Sequence, residues 1–112
     1  MIIEHAGLKG IKSELRHLDQ VTSQLGFVRW QWEYYRATYD LKIEHGGSDY
    51  YLRMNARVTE GKLESPYAVL EITDTYIGKA TFPHGLDYES EIPEPVLNKA
   101  KQTLDELEKL LS

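Results

Sequence analysis

Residues 37–56 read ATYDLKIEHGGSDYYLRMNA, and this stretch decides the fold. Both halves alternate between apolar and polar residues with a period of two, which is typical of β-strands that bury one face. The apolar set is Ala37, Tyr39, Leu41 and Ile43 in the first half and Tyr50, Leu52, Met54, Ala56 and then Val58 in the second. The stretch therefore predicts two antiparallel strands joined by a tight turn.

The register of this hairpin follows from the same pattern. Directly opposed residues of an antiparallel pair point to one face, so the two apolar sets must oppose each other. This requirement pairs residue 43 with 50, 41 with 52, 39 with 54 and 37 with 56. Gly46-Gly47 becomes a two-residue loop, and two glycines suit the primed turns, which need positive φ. The register also sets Asp40 opposite Arg53 as a cross-strand charge pair.

Upstream of the hairpin, the sequence predicts one helix and further strands. Met1 to His5 reads as a short strand, and apolar residues at spacings of three and four predict an amphipathic helix over about 8–25, ended by Gly26. The apolar residues of the next stretch stand in even phase and are predicted to be core: Val28, Trp30, Trp32 and Tyr34. Because the phase is odd from Ala37, we expect a bulge or tight bend near Tyr35–Arg36.

Downstream, Gly61 and Pro66 bracket a longer turn before a predicted strand at 67–73, and residues 76–82 read as one more strand. Phe82-Pro83-His84-Gly85 should leave the sheet, and residues 83–94 read as loop. Pro95 suits the first turn of a C-terminal helix, whose apolar stripe is Val96, Leu97, Ala100, Leu104, Leu107 and Leu111. We expect a single α+β domain over residues 1–112, an antiparallel β-sheet meander with the N-terminal and C-terminal helices packed on one face.

Composition excludes several classes of function. The 112 residues carry a net charge of −5, which argues against a nucleic-acid partner, since such binding needs a basic surface. The absence of cysteine excludes disulfides and thiolate chemistry. No stretch approaches the roughly 18 apolar residues of a membrane span, and the first residues do not resemble a signal peptide. We therefore expect a cytoplasmic protein that does not enter a membrane.

The sequence contains no motif of a known catalytic or cofactor site. The four histidines, His5, His17, His45 and His84, lack the spacing of metal ligands, so no metal is expected. Gly78-Lys79-Ala80-Thr81 lacks the first glycine and the metal-binding hydroxyl of a phosphate loop. Asp87, Glu89, Glu91 and Glu94 read as an exposed acidic loop. We expect no cofactor, and an enzyme is the less favoured interpretation.

The chain resembles the YugN-like family of small bacterial proteins over nearly its whole length. The resemblance rests on Gly7-Leu8-Lys9-Gly10, on Gln31-Trp32-Glu33-Tyr34 leading into Thr38-Tyr39-Asp40, on Tyr50-Tyr51-Leu52-Arg53, and on Gly78-Lys79 followed by Phe82-Pro83-His84-Gly85. It implies a cytoplasmic protein of Gram-positive, spore-forming-type bacteria, and it implies no activity, cofactor or catalytic residue.

Two functional hypotheses remain open. The first is a non-enzymatic binding or interaction protein that forms a homodimer through the exposed sheet face or an edge strand, with Tyr51, Arg53, Tyr35 and Arg57 at the interface. The second is a small-molecule-binding or enzymatic domain with a pocket between the sheet and the helices near Pro83-His84-Gly85. In that pocket His84, Lys79, Tyr88 and Asp87 would converge on the ligand.

Overall fold

The computed structural model describes residues 1–3, 5, 7–81 and 85–111, and for residues 31–33 it describes the backbone alone. Within these ranges the chain forms a curled antiparallel sheet and two helices, which confirms the α+β class. In chain order the elements are β1 (Lys12–Glu14), α1 (Leu15–Gln24), β2 (Val28–Glu33), β3 (Arg36–His45), β4 (Ser48–Glu60), β5 (Val69–Thr81), β6 (Gly85–Asp87) and α2 (Glu94–Leu111).

The β3–β4 hairpin has the register that the sequence predicts. Ile43 opposes Tyr50, Leu41 opposes Leu52, and the pairing continues through 39–54 and 37–56. Gly46 and Gly47 have φ values of 59° and 78°, so both central turn residues are left-handed, as a type I′ turn requires. Asp40 lies opposite Arg53. The predicted face, register, turn and charge pair are therefore all confirmed.

The sheet has the order β1-β5-β4-β3-β2, and β6 also pairs with β5. The predicted strands at 67–73 and 76–82 are wrong as separate elements, because β5 runs through both from Val69 to Thr81. The register shifts where Asn55 opposes Asp74 but Ala56 opposes Ile72, which leaves Thr73 as an extra residue. This bulge reverses the alternation without ending the strand, so Ile72 and Thr75 both point into the core.

Three separate segments cover the outer edge of β5. Residues 1–3 run beside its middle, where the Ile3 N–H donates to the Thr75 carbonyl at 3.0 Å. Lys12–Glu14 pairs with residues 69–71, and Gly85–Asp87 pairs with residues 79–81. The predicted loop at 83–94 is therefore wrong for Gly85–Asp87, where the chain returns to the sheet from a Gly85 with φ of 80°. The remainder of the predicted exit, residues 82–84, lies outside the described residues.

The predicted first helix is too long at its N-terminal end. Helix α1 begins only at Leu15, because Gly10 takes a φ of 91° and its N–H donates to the Ile72 carbonyl at 2.8 Å. The chain then pairs with β5 before it turns helical. The predicted end is confirmed, since Gly26 has φ 94° and donates to Ser23 O at 3.1 Å, while Phe27 N–H donates to Thr22 O at 3.0 Å. These are the two hydrogen bonds of a Schellman motif.

Both helices contribute to one core on one face of the sheet. The buried helix residues are Leu15, Leu18, Val21 and Thr22 of α1 and Val96, Ala100, Thr103, Leu104 and Leu107 of α2. They join the inward strand residues, among them Tyr39, Leu52, Met54 and Ile77, in a single apolar cluster. The hydroxyl of Tyr39 donates to Asp19 Oδ1 at 2.8 Å and so joins β3 to α1. Among the described residues, neither helix combines the length and the hydropathy that a bilayer-spanning segment needs.

Strand β2 does not have the orientation that the sequence predicts. The tight bend is confirmed, since Tyr34 and Tyr35 form the turn between β2 and β3. However, Val28 opposes Asp40 and Trp30 opposes Thr38, so both lie on the sheet face away from the helices. Val28, Trp30 and Tyr34 are exposed rather than core. The side chain of Trp32, predicted in the same set, is not among those described.

Candidate functional site

The three described members of the predicted ligand set, Lys79, Asp87 and Tyr88, do not lie on one side of the sheet. Lys79 opposes both Tyr50 and Asp87, so by register Lys79 and Asp87 lie on the helix-facing side of the sheet. Tyr88 reaches the opposite side, where its hydroxyl accepts a hydrogen bond from Arg53 Nη1 at 3.1 Å. His84 lies outside the described residues. The structure therefore separates Tyr88 from Lys79 and Asp87.

Asp87 has a local role in the turn that follows β6. One carboxylate oxygen accepts from the Glu89 N–H at 2.9 Å, and the other accepts from the Ser90 hydroxyl at 2.5 Å. The Ser90 hydrogen bond is the main reason that the pKa of Asp87 lies below its ordinary value. This is the pattern of an Asx-turn, which shapes the loop without offering a free carboxylate.

The most constrained polar group on the outer face, the sheet face away from the helices, is the Asp40–Arg53 pair. Arg53 Nε donates to Asp40 Oδ1 at 2.8 Å and Nη2 donates to Oδ2 at 2.9 Å. Asp40 is only 7% exposed, so its charge depends on this bidentate partner. The hydrogen bonding of Arg53 to Asp40 is also the main reason that the pKa of Arg53 is raised. Because each charge cancels the other, the pair gives the outer face a nearly neutral centre.

Aromatic side chains surround this pair. A shallow cavity of about 270 Å³ is lined by Trp30, Thr38, Asp40, Tyr51, Arg53 and Leu86. At one side of it, the ring of Tyr88 packs over Gly78 and lies 5.9 Å from the ring of Tyr76, centroid to centroid. A side chain at residue 78 would meet the Tyr88 ring at 3.1 Å, so the glycine makes room for that ring. The cavity is therefore an aromatic cleft with a compensated ion pair in its floor.

The four predicted interface residues have different surroundings. Tyr35 is exposed in the β2–β3 turn, which is anchored by Val58 N–H donating to Tyr35 O at 2.8 Å. Tyr51 is half-buried on the outer face and lines the cleft. Arg57 is exposed and pairs with Glu71, with Nη2 2.7 Å from Oε1. Arg53 hydrogen-bonds to Asp40 and Tyr88, so its role on this surface is structural and its guanidinium is less available to a partner.

The residues that sequence reasoning missed are in β2 and its turn. Val28, Trp30 and Tyr34 are all more than half exposed, and they adjoin the predicted Tyr35, which is 52% exposed, along one edge of the sheet. The signal that could have found them is the opposed-residue rule itself. A two-residue turn at Tyr34-Tyr35 pairs residue 33 with 36 and, after one bulge, 30 with 38, which places Trp30 with polar Thr38.

Among the described histidines, His5 contacts two carboxylates of α2. Its Nε2 lies 2.8 Å from Asp105 Oδ1 and its Nδ1 lies 3.4 Å from Glu108 Oε1, which fastens the N-terminal segment to α2. Across the described ranges, no group of three His, Asp or Glu residues is arranged to hold a metal ion. The contacts of His5 are those of a structural link between two elements.

Comparison with known proteins agrees with this architecture. The YugN-like family matches residues 4–110. The chain belongs to the YugN-like family. A relative in Bacillus subtilis (strain 168), the uncharacterised protein YlbA, is 35% identical over 109 residues, which cover 95% of this chain and 91% of the relative.

A solved structure of the family has the same fold. The crystal structure of the uncharacterised conserved protein YugN from Geobacillus kaustophilus HTA426 superposes with a TM-score of 0.87 at 33% sequence identity. The match covers 99% of this chain and 94% of that one. The names of these two proteins assign no activity.

Proposed function

We propose that this protein is a non-enzymatic interaction domain that associates with a second copy of itself. The observation that carries the proposal is the exposure of β2 and its turn: Val28 is 59% exposed, Trp30 is 51%, and Tyr34 and Tyr35 are each 52%. Large apolar side chains that cluster on a surface mark interaction sites, and Tyr and Trp are enriched where binding energy concentrates.

The charges of the outer face favour a copy of the same chain as the partner. Where β3, β4 and β5 pair across residues 36–44, 49–57 and 71–78, this face carries by register four cations, Arg36, Lys42, Arg53 and Arg57, and five carboxylates, Asp40, Glu44, Asp49, Glu71 and Asp74. Two such nearly neutral surfaces can meet without strong repulsion, although each whole chain carries −5. A polyanion would find no basic patch here.

The contact proposed from these observations is centred on Trp30 and Tyr35, and the outer face at Tyr51 and Arg57 borders it. A stable dimer buries about 1,000 Å² or more of accessible surface in total, and in a two-fold contact each exposed side chain contributes once from each copy. We place this association in the cytoplasm, since a cysteine-free chain suits a reducing compartment. Cell fractionation followed by immunodetection of the chain tests the location.

Light scattering coupled to size exclusion tests the association with a matched pair of variants. Trp30→Glu places a charge in the exposed cluster, and Tyr67→Glu places the same charge at a tyrosine that is 61% exposed and lies outside it. We expect Trp30→Glu to halve the molar mass at tens of micromolar and Tyr67→Glu to leave it unchanged, with both far-UV circular dichroism spectra intact. Equal masses for the two variants would refute a contact at this cluster.

A second candidate function is small-molecule binding in the aromatic cleft. It is favoured by the roughly 270 Å³ cavity around Asp40 and Arg53. Because the ion pair is internally compensated, the cleft suits a neutral, flat ligand that can lie against Trp30 and Tyr51. A thermal-shift screen tests it: a true ligand raises the Tm of the wild type but not that of Tyr51→Ala. The pocket predicted near Pro83-His84-Gly85 stays a prediction, since residues 82–84 lie outside the described residues.

A further inference from the structure

The two edges of the sheet differ in whether another segment of the chain pairs with them. The outer edge of β5 is covered along its length by residues 1–3, by β1 and by β6. At the other edge stands β2, and no strand of the described chain pairs with its outer side. An uncovered edge presents unpaired N–H and C=O groups and is a template for pairing with another chain.

Strand β2 also lacks two common protections of an exposed edge. It reads VRWQWE and contains neither proline nor lysine, the residues that most often block pairing. It holds one arginine and one glutamate, so two copies of it meet without net charge. Val28 and Trp30 extend from the edge onto the outer face, where they are exposed and available to pack against a neighbouring strand.

We propose that β2 pairs with β2 of a second copy in antiparallel orientation about a two-fold axis, which joins the two sheets into one. This inference rests on the proposed self-association and names its contact. A two-fold axis perpendicular to the sheet makes two identical edge strands run antiparallel, so each copy contributes the same surface. Backbone hydrogen bonds hold the pair, and the side chains of Val28 and Trp30 pack across the junction.

The alternative is contact between two outer faces, which would form fewer new hydrogen bonds and ion pairs. The charged groups at the centre of that face are already bound within the chain: Arg53 to Asp40 and Tyr88, and Arg57 to Glu71. Thr38 likewise donates to Asn55 Oδ1 at 3.0 Å. These groups gain little from a partner, whereas the outer edge of β2 has none within the described chain.

A row of four residues across the sheet distinguishes edge contact from face contact. Trp30 opposes Thr38, Thr38 opposes Asn55, and Asn55 opposes Asp74, so the row crosses β2, β3, β4 and β5 at one height. The chain has no cysteine, so each residue can be replaced singly by Cys and spin-labelled without other changes. Pulsed electron–electron double resonance then measures the distance between the two copies of each label in the dimer.

In the edge-paired dimer, the label-to-label distance is shortest at Trp30→Cys and grows by about 10 Å at each further strand, because every strand adds its spacing of about 4.8 Å on both sides of the axis. If the label at residue 30 itself dissociates the dimer, the increase in label-to-label distance from residue 38 to 55 and from 55 to 74 still distinguishes edge contact from face contact. As a second measurement, Val28→Lys should convert the dimer to monomer, while Tyr51→Glu, two strands away from the edge, should leave it dimeric.

The outcomes that overturn the inference are separable from those that overturn the self-association. Edge pairing alone is refuted if the dimer associates by its outer face. Face contact would give the shortest label-to-label distance at Asn55 or Asp74. It would also give a dimer that Tyr51→Glu dissociates and Val28→Lys does not. A wild-type chain that is monomeric by light scattering, with no dipolar signal from any label, refutes both the edge pairing and the proposed function.

Discussion

Arg53 binds Asp40 through two parallel hydrogen bonds, Nε to Oδ1 at 2.8 Å and Nη2 to Oδ2 at 2.9 Å, across neighbouring strands of the sheet. The pair lies at the centre of the outer face, and the third nitrogen of the guanidinium donates a hydrogen bond to the Tyr88 hydroxyl. Its position follows directly from the hairpin register, and its energetics can be tested against a similar pair nearby.

Arg53→Ala should lower the free energy of unfolding by about 1–3 kcal/mol, because it leaves the nearly buried Asp40 carboxylate without its partner. Arg57→Ala is the matched control, since Arg57 stands on the same strand and face but its side chain is 61% exposed. Loss of that pair should cost no more than about 1 kcal/mol. Urea denaturation measures both, and an equal loss in the two variants would show that Asp40 does not depend on Arg53.

The two faces of the hairpin should differ in their sensitivity to truncation. Leu52→Ala should cost roughly 2–5 kcal/mol, because Leu52 is fully buried beneath the helices and its removal leaves a cavity. Lys42→Ala, at an exposed position whose ammonium pairs with Glu44 and Asp49, should stay within about 0.5 kcal/mol. The midpoints of urea unfolding compare the two, and similar losses would contradict the assignment of faces.

The Gly46-Gly47 turn should reject a β-branched residue. Gly46 has a φ of 59°, so Gly46→Val should destabilise the fold by more than about 1 kcal/mol, although a new side chain would meet no neighbour within 4 Å. Gly46→Asn is the control, because asparagine enters the left-handed region with little strain. Thermal unfolding distinguishes them, and a neutral Val substitution would mean that the turn is not type I′.

Tyr39 should make the protein sensitive to alkaline pH. Burial, followed by the hydrogen bond to Asp19, raises the pKa of Tyr39 far above its ordinary value, so the folded chain keeps a proton that the unfolded chain releases near pH 10. The stabilising contribution is complete below pH 10 and is lost as pH rises above it, by up to about 1.4 kcal/mol per pH unit. Urea titrations at pH 8 to 11 should show a steeper decline for the wild type than for Tyr39→Phe, and parallel curves would contradict this.

The parts of the fold that could be predicted are those that two independent patterns define. The alternation of Tyr39, Leu41 and Ile43, together with Gly46-Gly47, fixes the hairpin register completely. The C-terminal helix was predictable from its stripe, since Pro95 marks its start and Leu104 lies on its buried face. In each case local pattern and tertiary burial require the same structure.

The parts that could not be predicted depend on long-range pairing. Leu8 and Ile11 have helical spacing, but hydrogen bonding of Gly10 and Ile11 to Ile72 holds this segment on the edge of β5 instead. The extra residue at Thr73 joins two predicted strands into one. Trp30 alternates like a core residue, but its pairing with Thr38, which the opposed-residue rule could have found, places it on the outer face. The hydropathy pattern alone therefore did not reveal the exposed surface on which the proposed function rests.

The molar mass of the wild-type chain by multi-angle light scattering, measured from a few to a hundred micromolar, tests the central claim most directly. Self-association through β2 predicts a species of about 26 kDa, twice the 13.0 kDa of one chain, which dissociates only on dilution. A constant mass of 13.0 kDa across this range would contradict it, and the aromatic cleft around Asp40 and Arg53 would then be the better supported binding site.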